Sequence, residues 1–217
     1  MVWKRARSPE QIEQRRGDIL QAAADLFDAQ GIEKVSLTAI ACKAKISKAN
    51  VYRYFESREA IYLEILMEEV ELWVTELERL FAPLAGSDDF DAFVTALVDE
   101  SVRRPKMLAL MSAIPSVLER NVTGDVLRTF KRSILGFALR LNNTGNAALP
   151  AVGIEGMHHF YTFYINYLTG LYPATHPAPH VAEIMAEPEF AFLVRDFRQT
   201  LFDQTRVVLK GLLADRN

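Results

Sequence analysis

The sequence predicts an all-α protein of about nine helices: a small N-terminal three-helix head with helix-turn-helix anatomy, followed by a larger helical body. Three observations carry this. Apolar residues recur at helical spacing along most of the chain. Serine caps, glycine stops and proline breaks separate the periodic runs. Strand-like alternation is missing from the head, and no internal repeat or low-complexity linker interrupts the pattern.

Residues 10–30 form the first amphipathic helix, with Ile12, Ile19, Leu20, Ala23, Leu26 and Phe27 at helical spacing. Ser8-Pro9 supplies a cap and a proline at the first helical position, and Gly31 supplies the stop. Ser36 caps a short second helix whose inner face is Leu37, Ile40, Ala41 and Ala44. After a break near Lys45-Ile46, Ser47 caps a third, with Val51 and Phe55 facing inward at i and i+4. Two short helices joined by a tight turn and packed on a preceding one make a helix-turn-helix. Ser57 caps a long helix carrying Ile61, Ile65, Leu66, Val70, Trp73 and Leu77. The body continues with helices near 90–103, 105–112, 123–141 and 153–171. The stretch "YPATHPAPH" reads as a proline-broken loop, and a helix over about 188–213 closes the chain.

Composition narrows the function classes. With 217 residues, half of them apolar, the chain can bury a substantial core. The single cysteine, Cys42, excludes an intrachain disulfide and fits a reducing cytoplasm. No apolar run is long enough to predict a membrane span. The basic N-terminus "MVWKRARS" lacks the apolar segment of a signal peptide and reads equally as an arm that tracks a polyanion or as a tail. The net charge of −3 is unevenly spread: residues 1–58 carry 11 Lys and Arg against 7 Asp and Glu, and the remainder 14 against 21. A basic head on an acidic body points to a polyanionic partner for the head alone.

The stretch "SKANVYRYF", residues 47–55, carries the chemistry. With Val51 and Phe55 inward, Lys48, Asn50, Tyr52, Arg53 and Tyr54 spread over the remaining surface. Buried, these groups would each need a partner. Against a DNA major groove each has a task. The Ser47 end suits a phosphate. Lys48 reaches phosphate or guanine, Asn50 pairs with adenine, and Ala49 touches a thymine methyl. Tyr52 contacts phosphate, and Arg53 contacts phosphate or reads guanine.

The segment 19–66 resembles the DNA-binding domain of the TetR family of transcriptional regulators. The resemblance rests on "AAADLFDAQGIEKVSLTAIA", the turn "AKIS", "VYRYF" and "SREAIYLEIL". It implies a dimeric, ligand-responsive repressor that binds a near-palindromic operator on double-stranded DNA through its head, residues 1–58. Residues 59–217 would bind a small effector and dimerise. Carried over position by position, it implies phosphate contacts from Thr38, Tyr52 and Arg58, base readers at Lys48, Ala49 and Asn50, and further contacts from Ser47, Arg53 and Tyr54. Lys45 stands where glycine is frequent in the family's turn, which predicts a residue at positive φ and one more phosphate contact.

In the body, Trp73, Met107, Leu110, Met111, Leu118, Phe130, Ile134, Phe137, Met157, His158 and Tyr161 are candidates to line an effector cavity for an apolar or aromatic ligand, or simply to fill the core. The helix over 154–172 is apolar on nearly every side. In a monomer that pattern reads as a central core helix; the family resemblance instead implies that one face (Phe160, Phe163, Tyr164, Tyr167) joins Phe197, Leu201 and Val208 of the last helix in a dimer interface. The competing reading is a helical-bundle enzyme or metalloprotein using Glu155 and His158. Glu155-x-x-His158 has the spacing of a metal-ligand pair, but a di-metal bundle needs a second copy and the chain has none. Serine-hydrolase, zinc-protease and phosphate-loop motifs are likewise missing, so no catalytic residue, cofactor or metal is assigned.

Overall fold

The computed structural model describes residues 8–214. The basic arm expected at the N-terminus therefore lies outside the described residues, apart from Ser8. Among them the structure is helical throughout, with ten α-helices and no strand. They are α1 (Pro9–Gln30), α2 (Leu37–Lys43), α3 (Lys48–Val51), α4 (Arg58–Phe81), α5 (Phe90–Val102), α6 (Pro105–Ala113), α7 (Gly124–Ala148), α8 (Gly153–Thr175), α9 (Pro179–Met185) and α10 (Phe197–Ala214). No helix is long and apolar enough to cross a membrane.

The chain divides into two compact units. The first takes in the chain through Glu68 together with Ala113–Lys131; the second comprises Glu69–Ser112 and the chain from Arg132 onward. In the first unit Ile19, Ala23, Val35, Ile40, Ala41, Val51, Phe55, Ile61, Tyr62 and Leu66 form the core. The caps behave as their residue types dictate. Ser8 accepts from Gln11 N, Ser36 from Ala39 N at 3.1 Å, Ser47 from Asn50 N at 3.2 Å and Ser57 from Ala60 N at 3.0 Å. In the second unit α10 packs on both α5 and α8. Its core holds Trp73, Phe81, Phe93, Leu97, Phe160, Tyr164 and Leu201, with Phe81 stacked on Phe93 at 4.4 Å.

Three elements differ from the sequence expectation. α7 runs on through Asn142–Ala148, where Asn, Thr and Gly had marked an end. Tertiary packing outweighs their poor helix propensity: a Cβ on Gly145 would lie 2.8 Å from Met157 Sδ and 2.9 Å from Tyr161 Oη. Glycine is what lets α7 and α8 approach this closely. The proline-rich loop contains α9, whose Pro179 sits at its first position, where a missing N–H costs nothing. The closing helix starts at Phe197 rather than Pro188, because residues Pro188–Leu193 wind as a tighter 3-10 segment.

Candidate nucleic-acid interface

The turn before α3 is a Schellman stop. Lys45 N donates to Cys42 O at 3.0 Å and Ile46 N to Ala41 O at 2.9 Å, with Lys45 at φ 57°. A lysine thus occupies the left-handed position that glycine would fill without strain. The reversal aims α3 away from α2. Only Val51 and Phe55 of the following stretch are buried.

The result is a one-sided surface. Thr38, Lys45, Ser47, Lys48, Ala49, Tyr52 and Arg53 are exposed, and Asn50 and Tyr54 are half-buried. Tyr52 is 53% exposed, and Lys48 Nζ stands 5.9 Å from its ring centroid. Among the described residues Lys45, Lys48 and Arg53 form no ion pair, whereas neighbouring Lys43 is paired with Asp25 at 3.2 Å. The three cations therefore face solvent without an internal counter-charge. Ser47 Oγ accepts from Asn50 N as the cap, which leaves its O–H as a donor at the exposed start of α3.

Arg58 has a different task from the phosphate contact expected of it. Its guanidinium turns inward, donating to Val35 O at 2.7 Å, Ile32 O at 3.4 Å and Glu59 Oε1 at 2.8 Å. It ties the start of α4 to the segment before α2, and those donors are already occupied.

Two braces escaped the sequence reading. Arg16, on α1, donates to Tyr54 O at 3.1 Å, pairs with Glu64, and lies over the Phe55 ring at 4.5 Å. It clamps the end of the α3 stretch between α1 and α4. Its signal in the sequence was faint: an arginine three residues before the buried Ile19. Glu56 accepts from Thr123 N at 2.6 Å and Thr123 Oγ1 at 2.8 Å, a partnership 67 residues apart that no local pattern encodes.

The body residues sort differently from expectation. Trp73, Met107, Leu110, Met111, Met157 and Tyr161 are buried in the second unit; Ile134 and Phe137 are half-buried. Leu118 and Phe130 are buried in the first unit. Trp73 Nε1 and Tyr161 Oη are buried without a hydrogen-bond partner. His158 is exposed. With Leu139, Asn142, Asn143, Ile154, Glu155 and His159 it lines a surface depression of about 480 Å³. Among the described residues no three His, Cys, Asp or Glu side chains converge as a metal site, so Glu155 and His158 lack a third ligand of that kind.

The expected dimer face also needs correction. Phe160, Tyr164, Phe197 and Leu201 are buried in the core of their own chain. Tyr164 Oη is 2.8 Å from Ser101 Oγ, and burial pushes its phenol above the ordinary tyrosine range. Residues committed in this way offer no surface to a second copy. Phe163 is exposed, and Tyr167 and Val208 are half-buried. The outward side of α8 is Phe163 with His159, Thr162 and Asn166.

Residues 19–65 match the family model described as bacterial regulatory proteins, tetR family, and residues 67–216 match the tetracyclin repressor-like C-terminal domain. The HTH-type transcriptional regulator RutR of Escherichia coli K12 is 29% identical over 127 residues, covering 57% of this chain and 58% of RutR. The chain thus matches a little over half the length of that relative. A transcriptional regulator from Rhodococcus sp. Rha1 shares the fold with a TM-score of 0.60 at 17% identity, over 90% of this chain and 96% of that one. A TetR-family regulator from Streptomyces coelicolor does so with a TM-score of 0.55, also at 17% identity, over 93% and 98%. The second of the two family models alone spans more than half of the sequence. The chain belongs to the tetR family of bacterial regulatory proteins.

Proposed function

We propose that this chain is a sequence-specific DNA-binding transcriptional regulator, acting as a homodimeric repressor that a small effector releases from its operator. The observation that carries the reading is the one-sided α3 surface: Lys45, Lys48, Ala49, Tyr52 and Arg53 exposed beside Asn50, with their cations lacking an internal partner among the described residues. Residues 1–58 are the DNA-reading head, and residues 59–217 the effector-binding and dimerising body, in the cytoplasm.

In the major groove Asn50 pairs with adenine N6 and N7 and Lys48 with guanine or phosphate, while Ala49 meets a thymine methyl. Thr38, Lys45, Ser47, Tyr52, Arg53 and Tyr54 hold the backbone and fix the register. Arg58 enters as a brace. Two heads in one dimer read two half-sites in successive major grooves of a near-palindrome.

The effector site is assigned to the interior of the body near Trp73, Met157 and Tyr161. An unsatisfied buried polar atom costs about 1–3 kcal/mol. A largely apolar or aromatic effector with a hydrogen-bonding group would relieve that cost at Trp73 Nε1 or Tyr161 Oη. Linkage then requires that effector and DNA weaken each other's binding by the same factor.

The test is selection of random duplex DNA by the purified protein at moderate salt, then sequencing of the bound pool. The expected result is a near-palindromic motif. Tyr52→Ala should lose affinity for all sequences alike. Asn50→Ala should relax one position in each half-site, at a cost of about 1–3 kcal/mol. A pool without enrichment, or both variants binding as wild type, would remove α3 as the reading element.

A further inference from the structure

Between α8 and α10 the chain makes an excursion of 19 residues, Ala178–Asp196, in which no residue is buried. It is nonetheless folded, as α9 and the 3-10 segment Pro188–Leu193. It carries Val181, Ile184, Phe192, Leu193 and Val194 on its surface, and Phe192 is 76% exposed. A helical segment whose large apolar side chains find no cover in their own chain is a surface made for another.

The depression beside α7 and α8 has matching chemistry. Leu139 and Ile154 are its exposed apolar residues. Asn143, His158 and His159 place amide and imidazole groups along it, and Glu155 adds a carboxylate. Asn142, also lining it, is 7% exposed, and its Oδ1 is buried with no hydrogen-bond partner. The excursion carries Glu183, Glu187 and Glu189 for the donors and Arg195 for Glu155.

Position decides whose excursion fills it. The depression includes Ile154 and Glu155 at the N-terminal end of α8, and the excursion leaves from the C-terminal end, a helix of 23 residues away. That is about 34 Å at 1.5 Å per residue. Two copies packed with their α8 helices antiparallel bring the start of one excursion beside the depression of the other.

We propose that Ala178–Asp196 is an exchanged arm: in the homodimer, the arm of one copy crosses to the other and seats Phe192 and Leu193 against Leu139 and Ile154. The depression is incomplete without the second copy. This rests on the homodimer reading above.

The test uses the full chain with Cys42→Ser. Phe192→Cys and Ile154→Cys are made on separate chains of different mass, mixed, allowed to exchange and mildly oxidised. Sedimentation gives the mass of the wild type and of Phe192→Glu. The expected result is a mixed disulfide between the two variants, with wild type sedimenting as two chains and Phe192→Glu self-associating at least tenfold more weakly. A two-chain wild type without the mixed disulfide overturns the exchange and leaves the homodimer standing. A wild type that stays a single chain at every concentration overturns both. A disulfide within one chain carrying both cysteines, under conditions where the mixed disulfide fails, shows the arm closing on its own body and overturns the exchange.

Discussion

α3 and α8 make opposite cases for how much a helix's sequence reveals about its partner. α3 has four residues, and its outward side chains are polar or small. Burying them would need partners the fold does not supply, so their direction follows from their chemistry. α8 has 23 residues and is apolar on most sides. Burial there is favourable in any direction, so the sequence could not say which face meets the chain's own core and which stays outside. Four of the seven residues expected at a dimer face are inside instead. Polarity fixes a direction; apolarity only requires that some cover exist.

The sharpest way to break this contrast is within α8. Tyr164→Ala removes a buried ring and its bond to Ser101 and should cost about 3–5 kcal/mol in chemical denaturation. Phe163→Ala, one position earlier but exposed, should change the stability of the isolated chain by no more than about 0.5 kcal/mol. Equal losses would show that the two faces are not distinct.

Arg16→Ala should cost about 1–3 kcal/mol, since it removes charge-assisted bonds to Tyr54 O and Glu64. It should also weaken DNA binding although Arg16 is not among the proposed contacts. Unchanged affinity in a fluorescence-anisotropy titration would mean that α3 holds its position without the brace.

The two ends of the pH scale act on different residues. Tyr62 Oη donates to Ala23 O, and burial pushes its phenol up to about 12. A raised pKa favours the protonated form in the folded state. Its stabilisation is therefore complete below pH 10 and is lost as pH rises toward 12. Tyr164 shifts the same way. Glu71 and Glu78 are held below the usual carboxylate range by bonds to Arg140. Their contribution is present above that range and fades as pH falls through it; because they are partly exposed, that loss should be small. Thermal melts from pH 3 to pH 11 should show the alkaline loss as the steeper one, and Tyr62→Phe should flatten it.

The smallest effect is expected at Lys45. Lys45→Gly relieves the left-handed strain but loosens the unfolded chain, and the two nearly cancel, leaving a change within about 1 kcal/mol. If Lys45 meets a phosphate, the salt dependence of DNA binding should lose about one unit of slope. An unchanged slope would restrict Lys45 to its role in the turn.

The head was legible almost residue by residue. Each serine expected to cap a helix does so, and Lys45 takes the positive φ that its place in the turn demanded. These are local effects, carried by hydrogen bonds three residues apart and by one backbone angle. The chemistry of Arg58 suits a phosphate and a backbone carbonyl equally well, and only the folded chain shows its inward bonds to Ile32 O and Val35 O. α9 was hidden because prolines and histidines signal a break, and nothing local shows that Pro179 opens a helix.

By itself, then, the sequence determined the all-α class, the caps and stop of the reading turn, and the outward face of α3. Each follows from interactions between near neighbours or from the cost of burying a polar group. Tertiary structure alone decided that α7 passes through Gly145, that Arg16 and Glu56 brace the head, which face of α8 is core, and that 19 residues before α10 are left uncovered. Those outcomes depend on side chains far apart in sequence filling one volume, and apolar packing, being non-directional, leaves no local mark of which partner it will find.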